Sequence, residues 1–220
     1  MLGITYAYEE KHRKYFIFHY IFYRILLSLD MIDFLNQINS YYPLSEETTD
    51  ALIAICKIKS FKKNDVILRA GDMARYYYFV RTGLLGYYTV DESGNTIFKL
   101  FFEENSFVAS TAAIVEYKPS IFHIVALEDC ELLVYSAQTF REMLVKYHDL
   151  ALFHIHYLEK NWVVKKEPLE INLKWDTAKI RYIRLYENKK LYLRLKQHHI
   201  ASYLGVTPTQ LSRIRKELNF

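Results

Sequence analysis

The residues best suited to binding chemistry form one short stretch near the end of the sequence, TPTQLSRIRK at residues 207–216. Thr207 is a good N-cap, Pro208 suits the first helical position, and Gln210 completes a capping box. A helix is therefore predicted to begin here. Its side chains offer amide, hydroxyl and cationic groups but no nucleophile–base set, so the chemistry they support is the binding of a polyanion.

The predicted helix has two different sides, because successive residues turn by about 100°. Leu211, Ile214 and Leu218 fall on one side. The other side carries hydrogen-bonding and cationic residues, namely Thr209, Gln210, Ser212, Arg213 and Lys216. An apolar stripe of this kind packs against a neighbouring element, which leaves the polar side for a partner.

The neighbouring element is a second predicted helix over about residues 197–204, which would bury Ile200 and Leu204. Ala201 is small where two helices must cross closely, and Gly205 supplies a left-handed turn between them. This pattern is typical of a helix-turn-helix, which places its second helix in the DNA major groove. An ordinary helical hairpin with a solvated polar face is the alternative, and the combination of signals favours DNA binding.

The residue types on the second helix match base edges and the phosphate backbone. We predict that Arg213 pairs with guanine and Gln210 with adenine, and that Thr209 contacts a base edge or a phosphate. The predicted phosphate contacts are Thr207, Ser212, Arg215 and Lys216.

Charge is distributed unevenly along the 220 residues, whose net charge is +4. From residue 175 onward ten basic residues stand against three acidic ones, whereas the rest of the chain is slightly acidic. A basic tail on such a body indicates a polyanion partner for the tail. The hydrophobic content of 51% indicates a packed protein rather than a disordered one. Cys56 and Cys130 lie far apart without CxxC spacing, so reduced core thiols in a cytoplasmic protein are expected.

The elements that must position this motif begin with two predicted helices. One covers residues 31–38, and the other runs from a cap-like pattern at Ser45 to about Ile58. Short β-prone runs follow at a spacing near ten residues: 66–68, 76–80, 84–90, 96–102, 122–126 and 131–135. Turn signals containing glycine or proline separate these runs. A compact antiparallel barrel or roll is therefore predicted.

Helical patterning returns over residues 138–147 and 149–166, and the second helix has two apolar stripes. One stripe holds Ala151, Ile155, Leu158 and Trp162, and the other holds Leu150, Phe153, Tyr157 and Val164. A helix with two apolar sides must be covered on both, so we predict that one side lies on the roll and the other meets a second copy. The alternative is a helix wholly buried within one chain. Pro168 is expected to end or kink this helix, before a further helix over residues 175–187 and a short strand or linker over 189–195.

Residues 1–30 are open to two interpretations, a helix lying on the body or on a partner, and a non-native extension before Met31. The apolar run YFIFHYIFY at residues 15–23 is too short to span a bilayer. No small-residue cleavage site follows it, so a signal peptide is not expected. We assign this segment no function and predict no membrane partner.

A roll, a long helix and a C-terminal helix-turn-helix, in that order, resemble the Crp/Fnr family of bacterial transcription regulators from residue 31 onward. RAGDMARYYYFVRTG and VDESGNTIF look like the glycine-punctuated turns of the cyclic-nucleotide-binding fold. ALEDCELLVYS looks like the strand that leads into the last helices of that fold. IASYLGVTPTQLSRIRKEL is similar to the DNA-reading unit, especially that of the shortened Bacteroidetes-type members.

The resemblance implies an α+β protein in four parts. These are an N-terminal extension (1–30), a cyclic-nucleotide-binding-like β-roll sensor domain (31–148), a dimerisation helix and hinge (149–174) and a helix-turn-helix domain (175–220). It also implies a cytoplasmic homodimer that binds a near-palindromic operator in double-stranded DNA and contacts RNA polymerase. The roll would sense an unidentified small-molecule effector or serve as a scaffold.

Many relatives carry a β-hairpin wing after the reading helix. Because this sequence ends at Phe220, we expect the corresponding phosphate contacts to come from basic residues before the motif. These are Arg181, Arg184, Lys189, Lys190 and Lys196.

The phosphate cassette of the family's nucleotide-binding members is altered in this sequence. A glycine-glutamate pair binds the ribose in those members, and the corresponding positions here are Ala109 and Ser110. The arginine that clamps the cyclic phosphate corresponds to Ser120 and its neighbour Ile121. A phosphate charge is costly to bury without a bidentate partner, so cyclic AMP and cyclic GMP are not expected to bind tightly.

No cofactor or metal is predicted. Two distant cysteines cannot hold the iron–sulfur cluster of Fnr-type members, and His154 and His156 point to different sides of a helix. A cupin-type metalloenzyme would need several histidines on neighbouring strands, and His123 is the only strand histidine found, so an enzyme is not expected. The alternative function is a ligand-sensing or protein-interaction module with no gene-regulatory role.

Overall fold

The computed structural model describes residues 31–219, so the interpretations of residues 1–30 lie outside the described part. Its helices are α1 (Ile32–Asn39), α2 (Glu46–Ile55), α3 (Thr111–Glu116), α4 (Ala137–Lys146), α5 (His148–Leu158), α6 (Lys166–Trp175), α7 (Ala178–Glu187), α8 (Lys189–Tyr192), α9 (Gln197–Leu204) and α10 (Pro208–Glu217). A π-helical segment, Glu159–Val164, joins α5 to α6. The strands are β1 (Lys57–Phe61), β2 (Val66–Leu68), β3 (Tyr76–Thr82), β4 (Leu85–Val90), β5 (Thr96–Phe102), β6 (Phe107–Val108), β7 (His123–Ala126) and β8 (Cys130–Ser136).

The strands form two four-stranded antiparallel sheets, with orders β1-β8-β3-β6 and β2-β7-β4-β5. Alternate side chains of both sheets point inward, as the two-residue period of a strand requires. The residues that fill the interior include Leu68, Tyr78, Val80, Leu85, Ile124 and Leu132. The predicted α+β class with an antiparallel roll is confirmed.

All six predicted β-prone runs are strands, but β1 and β6 were not predicted from the sequence. The helix expected to continue to about Ile58 ends at Ile55, and Cys56 is already extended with φ −82° and ψ 141°. Residues 57–61 then pair with β8 in continuous register. Their side chains are largely exposed, so this strand has almost no apolar alternation by which a sequence pattern could reveal it.

A helical layer covers one outer face of the roll. Phe34 of α1, Leu52 of α2, Phe140 of α4 and Phe153 of α5 share a core with Phe79 of β3. One carboxylate links α5, the last of these helices, to the capped start of α2. Asp149 accepts hydrogen bonds from the backbone N–H of Ser45 at 2.7 Å and from the hydroxyl of Thr48 at 2.7 Å.

The helix predicted over residues 149–166 is not a uniform α-helix. It changes to π geometry at Glu159 and resumes as α6 at Lys166. The prediction that Pro168 ends or kinks the helix is wrong as to its end, because α6 continues to Trp175. Pro168 lies in the first turn of α6, where a missing N–H costs little.

The last part of the chain is helical throughout. Residues 189–192 form the short helix α8, so the prediction of a strand or linker there is wrong. Asn188 explains the difference, because its side chain accepts a hydrogen bond from the N–H of Leu191 and caps the turn. Helices α9 and α10, called here the helix pair, meet at Gly205, which has the left-handed φ of 66°.

The helix pair and the roll share one apolar core. Leu84, Phe98 and Leu127 of the roll pack with residues of the last helices, namely Tyr182, Leu185, Leu195, Ile200, Leu204 and Leu211. Within residues 31–219 no helix combines the length and the apolar character that crossing a membrane requires.

Candidate nucleic-acid interface and effector region

The start of α10 is fixed by the predicted capping box. The hydroxyl oxygen of Thr207 accepts from the N–H of Gln210 at 3.2 Å, and Oε1 of Gln210 accepts from the N–H of Thr207 at 2.9 Å. The Thr207 hydroxyl also donates to Oε1 of Gln210 at 3.2 Å. Because an amide oxygen has two lone pairs, the Gln210 side chain is left with only its N–H donors for a partner.

The polar side of α10 faces outward. Leu211 is only 1% exposed, and this burial orients the rest of the helix. Thr209, Ser212, Arg213 and Lys216 are all exposed, as are Thr207 and Gln210 at the cap. The structure therefore brings six of the seven predicted DNA-contacting residues to one accessible surface.

Arg215 is the exception among these seven residues. Its side chain is half-buried, and its Nε atom is buried without a hydrogen-bond partner within residues 31–219. Burial raises the pKa of the Tyr182 hydroxyl, and the positive charge of the nearby Arg215 lowers it in part. Arg215 thus contributes mainly to the packing of the helix pair.

Most of the further basic residues expected to hold phosphates are engaged within the chain. Arg181 donates to the carbonyl of Leu204 at 2.9 Å, and Arg184 pairs with Asp176. Lys190 lies 2.8 Å from a carboxylate oxygen of Glu104. Lys189 lies over the ring of Tyr186, and Lys196 is exposed. These contacts engage Arg181, Arg184 and Lys190 within the chain, and the expectation that they bind phosphates stays a prediction. Sequence order does not reveal which carboxylate or carbonyl a cation will meet.

The positions that correspond to the phosphate cassette form a small buried hydroxyl cluster. The hydroxyl of Ser120 donates to that of Ser110 at 2.8 Å, and the hydroxyl of Tyr87 lies 3.3 Å from the same Ser110 oxygen. Ser120 is also hydrogen-bonded to the N–H of Phe122 at 3.1 Å. Ser110 and Ser120 are 3% and 2% exposed. This cluster carries no positive charge.

The two neighbouring cassette positions lie differently. Ala109 is half-buried, whereas Ile121 is 71% exposed and its carbonyl accepts from the Thr89 hydroxyl at 3.0 Å. The nearest cation to the hydroxyl cluster that the described contacts reveal is Lys99, whose ammonium lies 4.8 Å from the Phe122 ring centroid. Burial, with a smaller contribution from the charge of Lys166, lowers the pKa of Lys99.

The helical segment from α5 through α6, residues 148–175, is called here the long helical segment. Its two apolar stripes have different surroundings. Leu150 and Phe153 are buried against the helical layer, with Tyr157 packed beside them. Ile155 and Trp162 of the other stripe are 48% and 43% exposed. The alternative of a helix wholly buried within one chain is therefore wrong. Further exposed apolar residues continue along the segment: Val163, Val164, Leu169, Ile171 and Trp175.

The histidines and cysteines are held in ordinary packing contacts. The His123 ring stacks on Tyr88 at a centroid distance of 4.7 Å and accepts at Nδ1 from the N–H of Ala70. Both cysteines are buried free thiols, and burial raises the pKa of Cys56 to about 12. Within residues 31–219 no three His, Cys, Asp or Glu side chains are grouped as a metal site.

The roll belongs to a known class of domain. Residues 58–147 match the cyclic nucleotide-binding domain family. The matched segment runs from β1 to the end of α4, so it includes the strands of the roll and the hydroxyl cluster. A search of curated protein sequences gives no match to this chain.

Solved structures that resemble this chain in fold include regulators of the Crp/Fnr type. The c-di-GMP-responsive global regulator CLP of Xanthomonas campestris is 17% identical, with a TM-score of 0.64 over 80% of this chain and 92% of that chain. FixK2 of Bradyrhizobium japonicum is 15% identical, with a TM-score of 0.61 over 75% and 85%. A CooA mutant of Carboxydothermus hydrogenoformans is 14% identical, with a TM-score of 0.60 over 80% and 86%. At these identities the likeness concerns the fold.

Proposed function

We propose that this protein is a cytoplasmic, homodimeric transcription regulator that binds a near-palindromic DNA operator through a helix-turn-helix formed by α9 and α10. The observation that carries the proposal is the capped, outward-facing polar side of α10. Arg213 and Lys216 are exposed there, next to exposed hydrogen-bonding groups of Thr209 and Ser212. A helix of this kind, held by a tight left-handed turn, fits the major groove of DNA.

The proposed DNA contacts divide into those that recognise bases and those that bind the phosphate backbone. Arg213 offers a guanidinium fork to guanine, and Thr209 offers a hydroxyl to a base edge or phosphate. Gln210 can offer only its N–H donors unless the capping box opens, so we revise its role from bidentate adenine recognition to donation to a single base acceptor. Thr207, Ser212 and Lys216 are placed to contact phosphates, and Arg215 acts from inside the helix pair.

The homodimer would form through the outward stripe of the long helical segment. Ile155 and Trp162 present an apolar surface that a second copy can cover about a twofold axis. Two reading helices would then lie about one DNA turn, roughly 34 Å, apart. Solved structures of similar fold include FixK2 and the c-di-GMP-responsive regulator CLP, which links cell-cell signaling to virulence gene expression.

We propose that the roll does not bind cyclic AMP or cyclic GMP tightly. The Ser110–Ser120–Tyr87 hydroxyl cluster is uncharged, and it contains no arginine that could pair with a buried phosphate through two hydrogen bonds. The roll would instead hold a different small molecule or serve as a scaffold that also contacts RNA polymerase.

The test is the selection of bound duplexes from a random library, followed by fluorescence anisotropy on the selected operator at several salt concentrations. The proposal expects a near-palindromic site and an affinity that falls steeply with salt, because phosphate contacts release counterions. The alternative is a protein-interaction module, in which the helix pair docks another protein. It gains if purified protein shows no salt-dependent binding to any duplex.

A further inference from the structure

Arg194 lies in the turn between α8 and α9, just before the helix pair, and joins this turn to two separate turns of the roll. Its guanidinium makes four hydrogen bonds to two carboxylates: Nε and Nη2 to Glu128 at 3.0 and 2.6 Å, and Nη1 and Nη2 to Glu104 at 3.0 and 2.8 Å. Glu104 lies in the turn after β5, and Glu128 lies between β7 and β8. The Arg194 side chain is only 17% exposed. A bidentate pair at this low exposure fixes orientation as well as distance.

A second link lies at the end of the sheet. In the described residues β5 is the last strand of its sheet, so one side of its backbone has no strand partner. The Ser202 hydroxyl of α9 occupies this side. It accepts from the N–H of Phe98 at 3.1 Å and donates to the carbonyl of Thr96. One side chain thus satisfies both a donor and an acceptor of the edge strand.

Aromatic contacts accompany these two links. Phe98 packs against His199 at a centroid distance of 5.1 Å, and Phe101 packs against Tyr203 at 5.4 Å. The helix pair is therefore held on the roll by an ionic link before α9, a backbone link at Ser202, and aromatic packing.

We propose that Arg194 and Ser202 are positioning residues: they fix the helix pair at the edge of the roll, so that the roll sets the distance and angle between the two reading helices of a dimer. This inference rests on the proposed function. Neither residue lies on the reading surface of α10. The roll thereby restricts which half-site spacing the dimer accepts.

The helix pair has stabilising contacts that do not involve Arg194. Ile200, Leu204 and Leu211 pack between its helices and α7, and the capping box starts α10 independently. Removing the guanidinium should therefore free the orientation of the pair without unfolding it. Arg81 provides a matched control, because it is a partly buried arginine whose guanidinium pairs with Glu131 within the roll.

The first experiment measures amide hydrogen exchange at Phe98 in the free full-length protein. Arg194→Ala and Ser202→Ala should each accelerate this exchange about tenfold or more, because the Phe98 N–H loses its partner when the pair moves away. Arg194→Lys, which keeps the charge but loses the fork, should lie between wild type and Arg194→Ala. Arg81→Ala should leave the exchange within about twofold of wild type.

The second experiment measures affinity for the selected operator and for versions with one or two base pairs inserted between the half-sites. For the wild type, each inserted pair rotates one half-site by about a tenth of a turn and should weaken binding more than about tenfold. In Arg194→Ala this penalty should fall to about threefold or less, while binding to a single half-site stays unchanged.

The inference is overturned if folded Arg194→Ala retains wild-type exchange at Phe98, if Arg81→Ala accelerates that exchange equally, or if the spacing penalty is unchanged. Circular dichroism establishes that each variant is folded. If wild-type protein binds no duplex, the proposed function fails, and exchange at Phe98 then decides alone whether Arg194 and Ser202 hold the pair on the roll.

Discussion

The hydroxyl oxygens of Ser110 and Ser120 lie 2.8 Å apart inside the roll, at two of the positions that the sequence predicts to correspond to the phosphate cassette. The pair is closed off by the Tyr87 hydroxyl and by the backbone N–H of Phe122. Both serine oxygens are thus hydrogen-bonded to neighbours within the roll. This arrangement stabilises the roll itself and presents no cation to an anion.

We predict that neither cyclic AMP nor cyclic GMP binds with micromolar affinity, as measured by isothermal titration calorimetry. Ser120→Ala should lower the free energy of unfolding by about 1–3 kcal/mol, because it leaves buried polar groups without a partner. Ser93→Ala, at an exposed turn, is the control and should change stability by less than about 0.5 kcal/mol. Micromolar binding of either nucleotide would contradict the account of this cluster.

Arg213→Ala and Lys216→Ala should affect DNA binding in different ways. Loss of Arg213 should cost about 1–3 kcal/mol on the selected operator and relax the base preference at one position. Loss of Lys216 should weaken binding to all duplexes alike and reduce the salt slope by about one. Lys118→Ala, which removes an exposed cation of the roll, serves as the control in the same anisotropy assay. Equal affinities of the wild type and the three variants would contradict the proposal that the polar side of α10 contacts DNA.

Gly205→Ala should destabilise the protein by about 1–2 kcal/mol in a denaturant melt, because φ is 66° and a Cβ is strained in the left-handed region. A Cβ at this position would meet no atom within 4 Å, so the cost comes from the backbone alone. Gly205→Asn should cost less, because asparagine tolerates this conformation better. Equal losses for the two variants would indicate that crowding, rather than backbone strain, governs the turn.

Trp162→Glu should convert the proposed dimer to monomers in sedimentation velocity experiments, because a charge placed in an apolar interface is costly to bury. Val145→Glu is a matched control. Val145 is 92% exposed on α4, away from the long helical segment, so this variant should keep the wild-type sedimentation coefficient. A wild type that sediments as a monomer at all concentrations would contradict the homodimer.

Acid should weaken the contact between the helix pair and the roll. Burial, helped by the nearby charges of His198, Lys196 and Lys63, lowers the pKa of His199 from 6.5 to about 4. The unfolded chain therefore binds more protons between these values, and the stabilising contribution of neutral His199 is lost as the pH falls from 6.5 to 4. For Glu104, burial alone would raise the pKa, but hydrogen bonds from Arg194 and Lys190 lower it from 4.5 to about 2.

Glu104 thus extends the loss of stability below pH 4.5. Between pH 6.5 and 4 the free energy of unfolding should fall by about 1–3 kcal/mol owing to His199. His199→Phe should remove the part of this slope that His199 contributes and leave the part due to His154, whose pKa burial also lowers. His148→Gln, at an exposed position on α5, should leave the slope unchanged. Urea melts at several pH values measure the effect. The same slope in His199→Phe as in wild type would assign the acid sensitivity to other groups.

Local signals were sufficient to predict much of the helix pair from the sequence. The capping box at Thr207, the left-handed Gly205 and the burial of Leu211 each depend on residues only a few positions apart. Such short-range geometry is largely independent of the rest of the fold. The strands with apolar alternation were predictable for the same reason.

The features that sequence did not reveal depend on contacts between distant residues. Arg194 and Glu104 are ninety positions apart, and nothing in the local pattern indicates that they meet. The basic tail was therefore read as facing DNA as a whole, although several of its cations contact carboxylates of the roll. Strand β1 was missed because its place is set by pairing with β8 rather than by its own composition.

The link between Ser202 and β5 has a consequence for solubility as well as for geometry. If the helix pair leaves the roll, Thr96 and Phe98 expose backbone groups and a large aromatic ring at an open edge, which is a template for pairing with another chain. A variant that loosens this contact should therefore precipitate at lower concentration than wild type. The hydroxyl of Ser202 thus also protects the protein against self-association.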